Sequence, residues 1–371
     1  MNNLHGILLA YRADPALREL TQHRNNCSIP FGGRYRIIDF MLSSLVNAGV
    51  GDVGLIVDSS YQSLLDHLGS GKDWDLSRKH GGLRILPPFS YAGAQSSGGT
   101  RGRMDALAGV RSYLTNIRQD YVVLAWGDIV ANLPIAAAFE QHLKSGADIT
   151  AICTAKPTGD PARCTYFTVG ANGNVTDVAV HPTVPMGNET LECYIMSKQL
   201  LLELTDYASA HKIHSFSEGV LLSMVNQLKI VPYLYDGFVA RIHSVASYFA
   251  QSMQLLNADV QECLFNPDSP IRTKIQSLPS TYYSADARCT GSLIADGCII
   301  DGEVENSILF RGVRVEKGAK VSNCILMQST CVCEGTQLSY VITDKNVTVQ
   351  ANRTLMGHEN YPLAIEKNSV V

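Results

Sequence analysis

The C-terminal third of the chain repeats itself. From about residue 290, glycines recur six apart, at Gly291 and Gly297 and again at Gly312 and Gly318. Apolar residues keep the same step in Val315/Val321, Ile325/Cys331 and Val341/Val347. A longer period overlies it: Ser307-Ile308-Leu309, Cys324-Ile325-Leu326 and Tyr340-Val341-Ile342 return after 17 and then 16 residues. Three short strands of about six residues per coil produce such a period, the hexapeptide signature of a parallel β-helix. An ordinary β-sheet with chance spacing is the competing reading. A solenoid has open ends that must be capped or buried, so self-association through the β-helix is expected.

Residues 1–235 have a different texture, in which short apolar runs alternate with helical patterns. Residues 4–10, 53–57 and 121–125 read as buried strands of a parallel sheet, with helices over 41–48 and 104–114. That alternation predicts a doubly wound α/β domain. Such sheets bind ligands at the carboxyl ends of their strands, where residues 11–16 and Gly127-Asp128 fall. The span 239–257 is amphipathic and reads as helical. Asn266-Pro267-Asp268-Ser269-Pro270 then breaks the pattern. The resulting division is an α/β domain over 1–257, a linker over 258–289 and a hexapeptide domain over 290–371.

Composition narrows the function classes. Of the 371 residues 46% are hydrophobic and 17% charged, which suits a packed soluble protein and not a disordered one. A net charge of −4 gives no broad attraction to nucleic acid or to an anionic membrane. The longest apolar runs are far too short to span a bilayer, and no secretory leader is visible. Ten cysteines are scattered without paired metal-ligand spacing. Cys331-Val332-Cys333 places two thiols on one strand face, read here as a packed apolar position. A reduced, cytoplasmic protein is the expectation.

The segment Phe31-Gly32-Gly33-Arg34-Tyr35-Arg36-Ile37-Ile38-Asp39-Phe40 closely resembles the ADP-glucose pyrophosphorylase (glucose-1-phosphate adenylyltransferase) family. The resemblance extends over nearly the whole chain. It implies a nucleotidyltransferase (Rossmann-like) domain followed by a left-handed parallel β-helix. Reactions of this family bring a sugar-phosphate oxygen onto the α-phosphorus of a nucleoside triphosphate, and pyrophosphate leaves in line. The protein must cradle the triphosphate, hold Mg²⁺ with carboxylates and place cations where charge builds.

Against that pattern the chain departs at one position after another. The family's Gly-Gly-x-Gly-Thr-Arg-Leu loop, aligned without gaps, becomes Tyr11-Arg12-Ala13-Asp14-Pro15-Ala16-Leu17. Its later lysine becomes Asn26. Tyr11 adds bulk, Asp14 adds negative charge facing phosphate, Pro15 removes a donor, and Ala16 replaces the catalytic arginine. Losing one transition-state cation costs roughly 10²–10³-fold in rate, by analogy with single oxyanion donors. Arg12 acting from a displaced position is the alternative for the lost arginine.

Other landmarks are mixed. Arg101, Gly102, Asp105 and Gly127 match nucleotide-site positions and stand as remnants, whereas Arg103 and Trp126 depart. Asp128 matches the first metal aspartate, but Arg241 occupies the place of the second, leaving Asp128 a vestigial single ligand. Val180-His181-Pro182 stands where the family has Glu-Lys-Pro, and His181 and His243 are read as structural. Arg34 and Arg36 are candidates for binding a phosphate or sugar-phosphate effector; the alternative pairs Arg36 with Asp39 and leaves Arg34 to solvent.

The pattern resembles the catalytically silent, D-type subunit of bacterial glycogen synthesis. That implies a hetero-oligomer with a catalytic glucose-1-phosphate adenylyltransferase subunit, no tightly bound cofactor here, and Mg²⁺ only in the partner. A weakly active nucleotidyltransferase is the alternative. A β-helix acyltransferase is disfavoured, because residues 290–355 contain no histidine.

Overall fold

A computed structural model describes residues 3–58, 60–87 and 102–371. The strand Leu4–Ala10 is buried along its whole length and lies parallel to Asp52–Val57 on one side and Tyr121–Trp126 on the other. It reads as a continuous apolar run because helices cover both faces of the sheet. Leu4, Leu8 and Ala10 join the core under helices Ile37–Asn47 and Ile135–Ser145. Ile7 and Leu9 join the one under Arg103–Gly109 and Lys198–His211. The sheet has nine strands and is mixed, since the long strand Asn188–Ser197 runs antiparallel to Tyr121–Trp126 and Ile149–Thr154.

Two expected helices differ in detail. The helix over 104–114 is broken at Val110 (φ −109°, ψ 19°) into Arg103–Gly109 and Arg111–Thr115. The helical reading of 239–257 fails at its start. Ala240–Arg241 is a strand paired with Ile129–Val130, and helix begins only at Val245–Met253, behind the Ser244 capping box. The strand start places Arg241 against the segment that follows Asp128.

Three five-stranded parallel sheets form the C-terminal left-handed β-helix. Each coil turns through left-handed corners. One row of corners is Gly291, Asn306, Asn323 and Tyr340, with φ of 57, 45, 51 and 54°. A second is Gly297, Gly312, Ser329 and Asn346. The six-residue glycine step thus marks neighbouring corners, where positive φ favours glycine and asparagine. The period also needs one correction. Ile325 pairs with Ile342, so the third triplet is Val341-Ile342-Thr343, and Tyr340 belongs to the corner before it.

This register aligns Ile308, Ile325 and Ile342 in an outward stripe against Leu17, Phe31, Tyr248 and Phe249 of the α/β domain, while Leu309 and Leu326 fill the solenoid interior. One buried ion pair crosses the same seam: Arg24 Nη2 donates to both Asp344 carboxylate oxygens, at 2.9 and 2.7 Å. Cys331 and Cys333 correct the packed-apolar reading. Val332 between them points into the solenoid and is buried, so both thiols face outward and are half-exposed.

Asp344→Ala leaves the Arg24 guanidinium buried without its carboxylate. It is expected to lower stability by about 3–5 kcal/mol, read as a shift of the urea-unfolding midpoint; a loss under about 1 kcal/mol contradicts a structural role for the pair.

Candidate functional site

The segment that follows Leu4–Ala10 is a built turn. Asp14 is the N-cap of a short 3₁₀ helix, Pro15–Leu20, with Pro15 in its first position. Asp14 Oδ1 accepts from Ala16 N–H at 3.1 Å, and Asp14 O accepts from Leu17 N–H at 3.0 Å. Asn26 clamps the turn from the other side: its Oδ1 accepts from Asp14 N–H at 3.1 Å, and its own N–H donates to Arg12 O at 3.1 Å. The backbone donors at 14, 16 and 17 are therefore consumed inside the turn, and Pro15 has none. A phosphate cradle needs those groups free and aimed outward.

Beyond the turn lies a cleft of about 230 Å³, lined by Arg12, Asp14, Asn26, Asp128, Arg163, His181, Arg241 and His243 among others. Asp128 follows Tyr121–Trp126 and is nearly buried. Arg12 Nη1 lies 3.4 Å from its Oδ2, so a guanidinium stands where a cation would be held. The same guanidinium sits 4.2 Å above the Trp126 ring, which Tyr11 meets edge-on with centroids 4.9 Å apart. The intrusive aromatics and Arg12 thus form one packed unit. Asp14 also binds Arg163, which holds its charge against the cleft wall.

Arg241 does not face Asp128 as a direct partner. Its Nε donates to Glu189 Oε1 at 2.8 Å and to Thr158 Oγ1 at 3.0 Å, and its Nη2 donates to Thr190 O at 2.5 Å. Burial pushes the Glu189 carboxyl upward, but Arg241 and the Thr158 hydrogen bonds outweigh it, and the group titrates below the ordinary carboxylate range. Arg103 is buried against Glu192 and among the rings of Trp126, Tyr194 and Phe216. Glu192 reaches it from an irregularity in strand Asn188–Ser197, with φ 56°. Burial and the neighbouring Arg163 cation hold His243 below the usual imidazole range.

The positions that the resemblance assigns to a nucleotide site are closely packed here. A Cβ at Gly102 would meet His214 O at 2.3 Å, and one at Gly127 would meet Ile38 Cδ1 at 2.4 Å. Asp105 binds His214 Nδ1 at 2.7 Å. Arg101 lies outside the described residues. As for Mg²⁺, Asp128 has Arg12 on one oxygen, and Arg163 and Arg241 line the same cleft, a set of cations around one carboxylate that does not fit the ion.

Arg34 and Arg36 meet in a second cavity, of about 170 Å³, at the junction of the two domains. It gathers Lys274, Arg311 and Lys345 with them. Arg34 does not simply face solvent, since its Nη2 lies 2.6 Å from Asp296 of the β-helix. Asp39 accepts from Arg36 N–H at 3.0 Å as a helix cap, while the Arg36 guanidinium binds Ser63 O and Oγ. Burial, then the Arg36 and Arg24 cations, draw the Lys345 amine down to about 7.

Glu189, Glu192, Arg163 and Lys345 were not singled out in the sequence. A signal existed for the first two: they are carboxylates flanking Leu191 and the apolar run 193–196 in a buried strand, which demands buried partners. The others join their sites only through tertiary folding.

Residues 7–236 match the nucleotidyl transferase family model, and residues 280–361 match the model of a GlmU-like C-terminal hexapeptide. The glycogen biosynthesis protein GlgD of Bacillus subtilis (strain 168) is 34% identical over 370 residues, covering 100% of this chain and 97% of that protein. GlgD of Geobacillus stearothermophilus is 36% identical over 86% of this chain and 83% of its own length. A glucose-1-phosphate adenylyltransferase from Halalkalibacterium halodurans is 31% identical over 90% of this chain and 92% of its own. The chain belongs to the glucose-1-phosphate adenylyltransferase family of nucleotidyl transferases. Its cleft is lined by arginines already engaged in internal ion pairs: Arg12 with Asp128, Arg163 with Asp14 and Arg241 with Glu189. No helix among the described residues is long and apolar enough to cross a membrane.

Restoring glycine at 11, 12 and 14 together is expected to produce no ADP-glucose synthesis, because Ala16, Asn26 and the Arg241–Glu189 pair remain. A coupled pyrophosphate assay checks this, and substantial turnover overturns the reading of these positions as independent defects.

Proposed function

We propose that this chain is a catalytically silent, regulatory subunit in glycogen biosynthesis, acting in a hetero-oligomer with a catalytic glucose-1-phosphate adenylyltransferase. The observation that carries the proposal is the fate of the loop after the first strand. Its donors are spent on the Asp14 cap and the Asn26 clamp, and Arg12 occupies Asp128. Triphosphate is left without a cradle, and Mg²⁺ belongs to the partner subunit. The relatives named GlgD support the glycogen assignment. On this reading the basic junction cavity takes a phosphate or sugar-phosphate effector, with Arg34 and Arg36 as ligands.

The weakly active alternative requires Arg12 to leave Asp128 and serve phosphate instead. Purified alone, the chain is expected to form no ADP-glucose from ATP and glucose 1-phosphate. Mixed with a catalytic partner, it is expected to change that partner's rate or effector response. Mg²⁺-dependent pyrophosphate release by the lone chain rejects the proposal.

Arg34→Ala is expected to blunt the effector response of the mixed enzyme, and an unchanged response curve rejects Arg34 as a ligand.

The junction also carries a pH signature. An anion favours the charged form of Lys345, so binding takes up a proton near neutrality and weakens as pH rises through about 7. Titration calorimetry with inorganic phosphate, in buffers of different ionisation enthalpy, measures that proton directly.

A further inference from the structure

The β-helix carries a cluster that the glycogen reading does not use. Consecutive coils here are 17 residues apart, and Arg314 pairs with Cys331 and Val315 with Val332. Glu316 therefore lies beside Cys333 on the adjoining coil, and its N–H donates to Val332 O at 2.9 Å. Val332 and Val315 are both buried in the solenoid, so the residues flanking them face outward. Cys331 Sγ, Cys333 Sγ and a Glu316 carboxylate oxygen all lie within 4.8 Å of one another, the convergent set of this kind among the described residues. Cys331 Sγ is 3.9 Å from Glu316 Oε1. The other oxygen, Oε2, accepts from Glu334 N–H at 3.1 Å, which orients the carboxylate with Oε1 toward the thiols.

We propose that Cys331, Cys333 and Glu316 form a binding site for a thiophilic divalent cation of the zinc class, clipping two coils of the β-helix together. The spans suit such an ion. Metal–sulfur and metal–oxygen bonds of about 2.3 and 2.1 Å place the ligand atoms of a tetrahedral site roughly 3.6 Å apart. Small rotations about the cysteine and glutamate side chains close the remaining gap. Two sulfurs and one oxygen select a soft or borderline ion over Mg²⁺ or Ca²⁺. The half-exposed face leaves the fourth position to solvent. Charge also balances. Two thiolates and a carboxylate give three negative charges, and Arg314, in register with Cys331, offsets one, which matches a divalent ion. The scaffold is rigid, since Arg314 N–H donates to Thr330 O and Cys333 N–H to Val349 O, at 2.9 and 3.0 Å. The sequence hides the site because a C-x-C pair supplies only two ligands. The third becomes visible once the 17-residue coil step pairs Glu316 with Cys333.

The test uses the full-length, tag-free chain, reduced and then equilibrated with one equivalent of Zn²⁺ or Co²⁺ before gel filtration. The expected result is about one ion retained per chain, with a sulfur-to-cobalt charge-transfer band in the Co²⁺ form. The Cys331→Ser/Cys333→Ser double variant should lose both. Both side chains face outward, and circular dichroism verifies its fold. Glu316→Gln keeps both thiols and is expected to weaken retention about tenfold or more. Equal retention by the chain and the double variant, or a bound Co²⁺ without the sulfur band, overturns the proposal.

Discussion

A carboxylate taken out of water must find hydrogen bonds and positive charge inside the protein, or it is neutralised. The cleft of this chain is organised by that requirement. Asp128 faces Arg12, Asp14 faces Arg163, Glu189 faces Arg241, and Glu192 faces Arg103. In a nucleotidyl transfer site some of the counter-charge arrives with the ligand, as metal for the carboxylates and triphosphate for the cations. Here it arrives with the polypeptide. A metal–triphosphate complex entering the cleft would have to break pairs already made. Separating one partner from a buried pair costs about 3–5 kcal/mol, several times the worth of an ordinary hydrogen bond. The exposed half of Arg12 and Arg163 lowers that figure for their pairs, which solvent screens. Arg241–Glu189 and Arg103–Glu192 lie deeper, behind the cleft wall, and fix the strand that carries Glu189 and Glu192.

The seam between the domains rests on the same logic. An isoleucine stripe on the solenoid supplies the apolar contact, and the Arg24–Asp344 pair makes the contact specific to one register. A shift of one coil would leave both charges stranded. Next to this fixed point, Asp344 passes directly to Lys345, and Arg34 reaches across to Asp296. The junction cavity is thereby built from both domains at once. An anion bound there would compete with Asp296 for Arg34, and so would bear on the contact between the domains.

Much of this was legible in the sequence. Leu4–Ala10 as a buried strand and the β-helix follow from local pattern, and the altered loop at 11–16 follows from the resemblance to the family. What could not be read was the use to which the altered residues are put. Asp14 and Pro15 look like simple damage to a phosphate loop, yet together they are a helix cap and first turn. Arg241 looks like a charge opposing Asp128, yet its guanidinium turns to Glu189, whose position depends on an irregular antiparallel strand. The one-residue slip at Tyr340 has a similar origin: a tyrosine sits in a left-handed corner where the preceding coils use asparagine, so the sequence resembles strand where the backbone turns. The outward thiols follow from facing. Alternation puts Cys331 and Cys333 on one side, and only the burial of Val332 decides which side that is.

The replacement of ligand by side chain is not complete. Asn26 Nδ2, Asp128 Oδ1, Tyr11 OH, Trp126 Nε1 and two nitrogens of Arg103 are buried without a hydrogen-bond partner among the described residues. Each such group costs about 1–3 kcal/mol, so the cleft is balanced in charge but not in hydrogen bonds. That distinction separates binding from turnover. These atoms are buried, so a polar guest in the cleft reaches them only if the side chains above them move. Transfer of a nucleotidyl group needs unpaired cations and a metal at the point where negative charge accumulates, and hydrogen-bond capacity cannot substitute for them. A cleft whose charges are already matched is therefore the physical basis of the silence proposed above, because charge, and not hydrogen-bond capacity, is what the transfer step draws on.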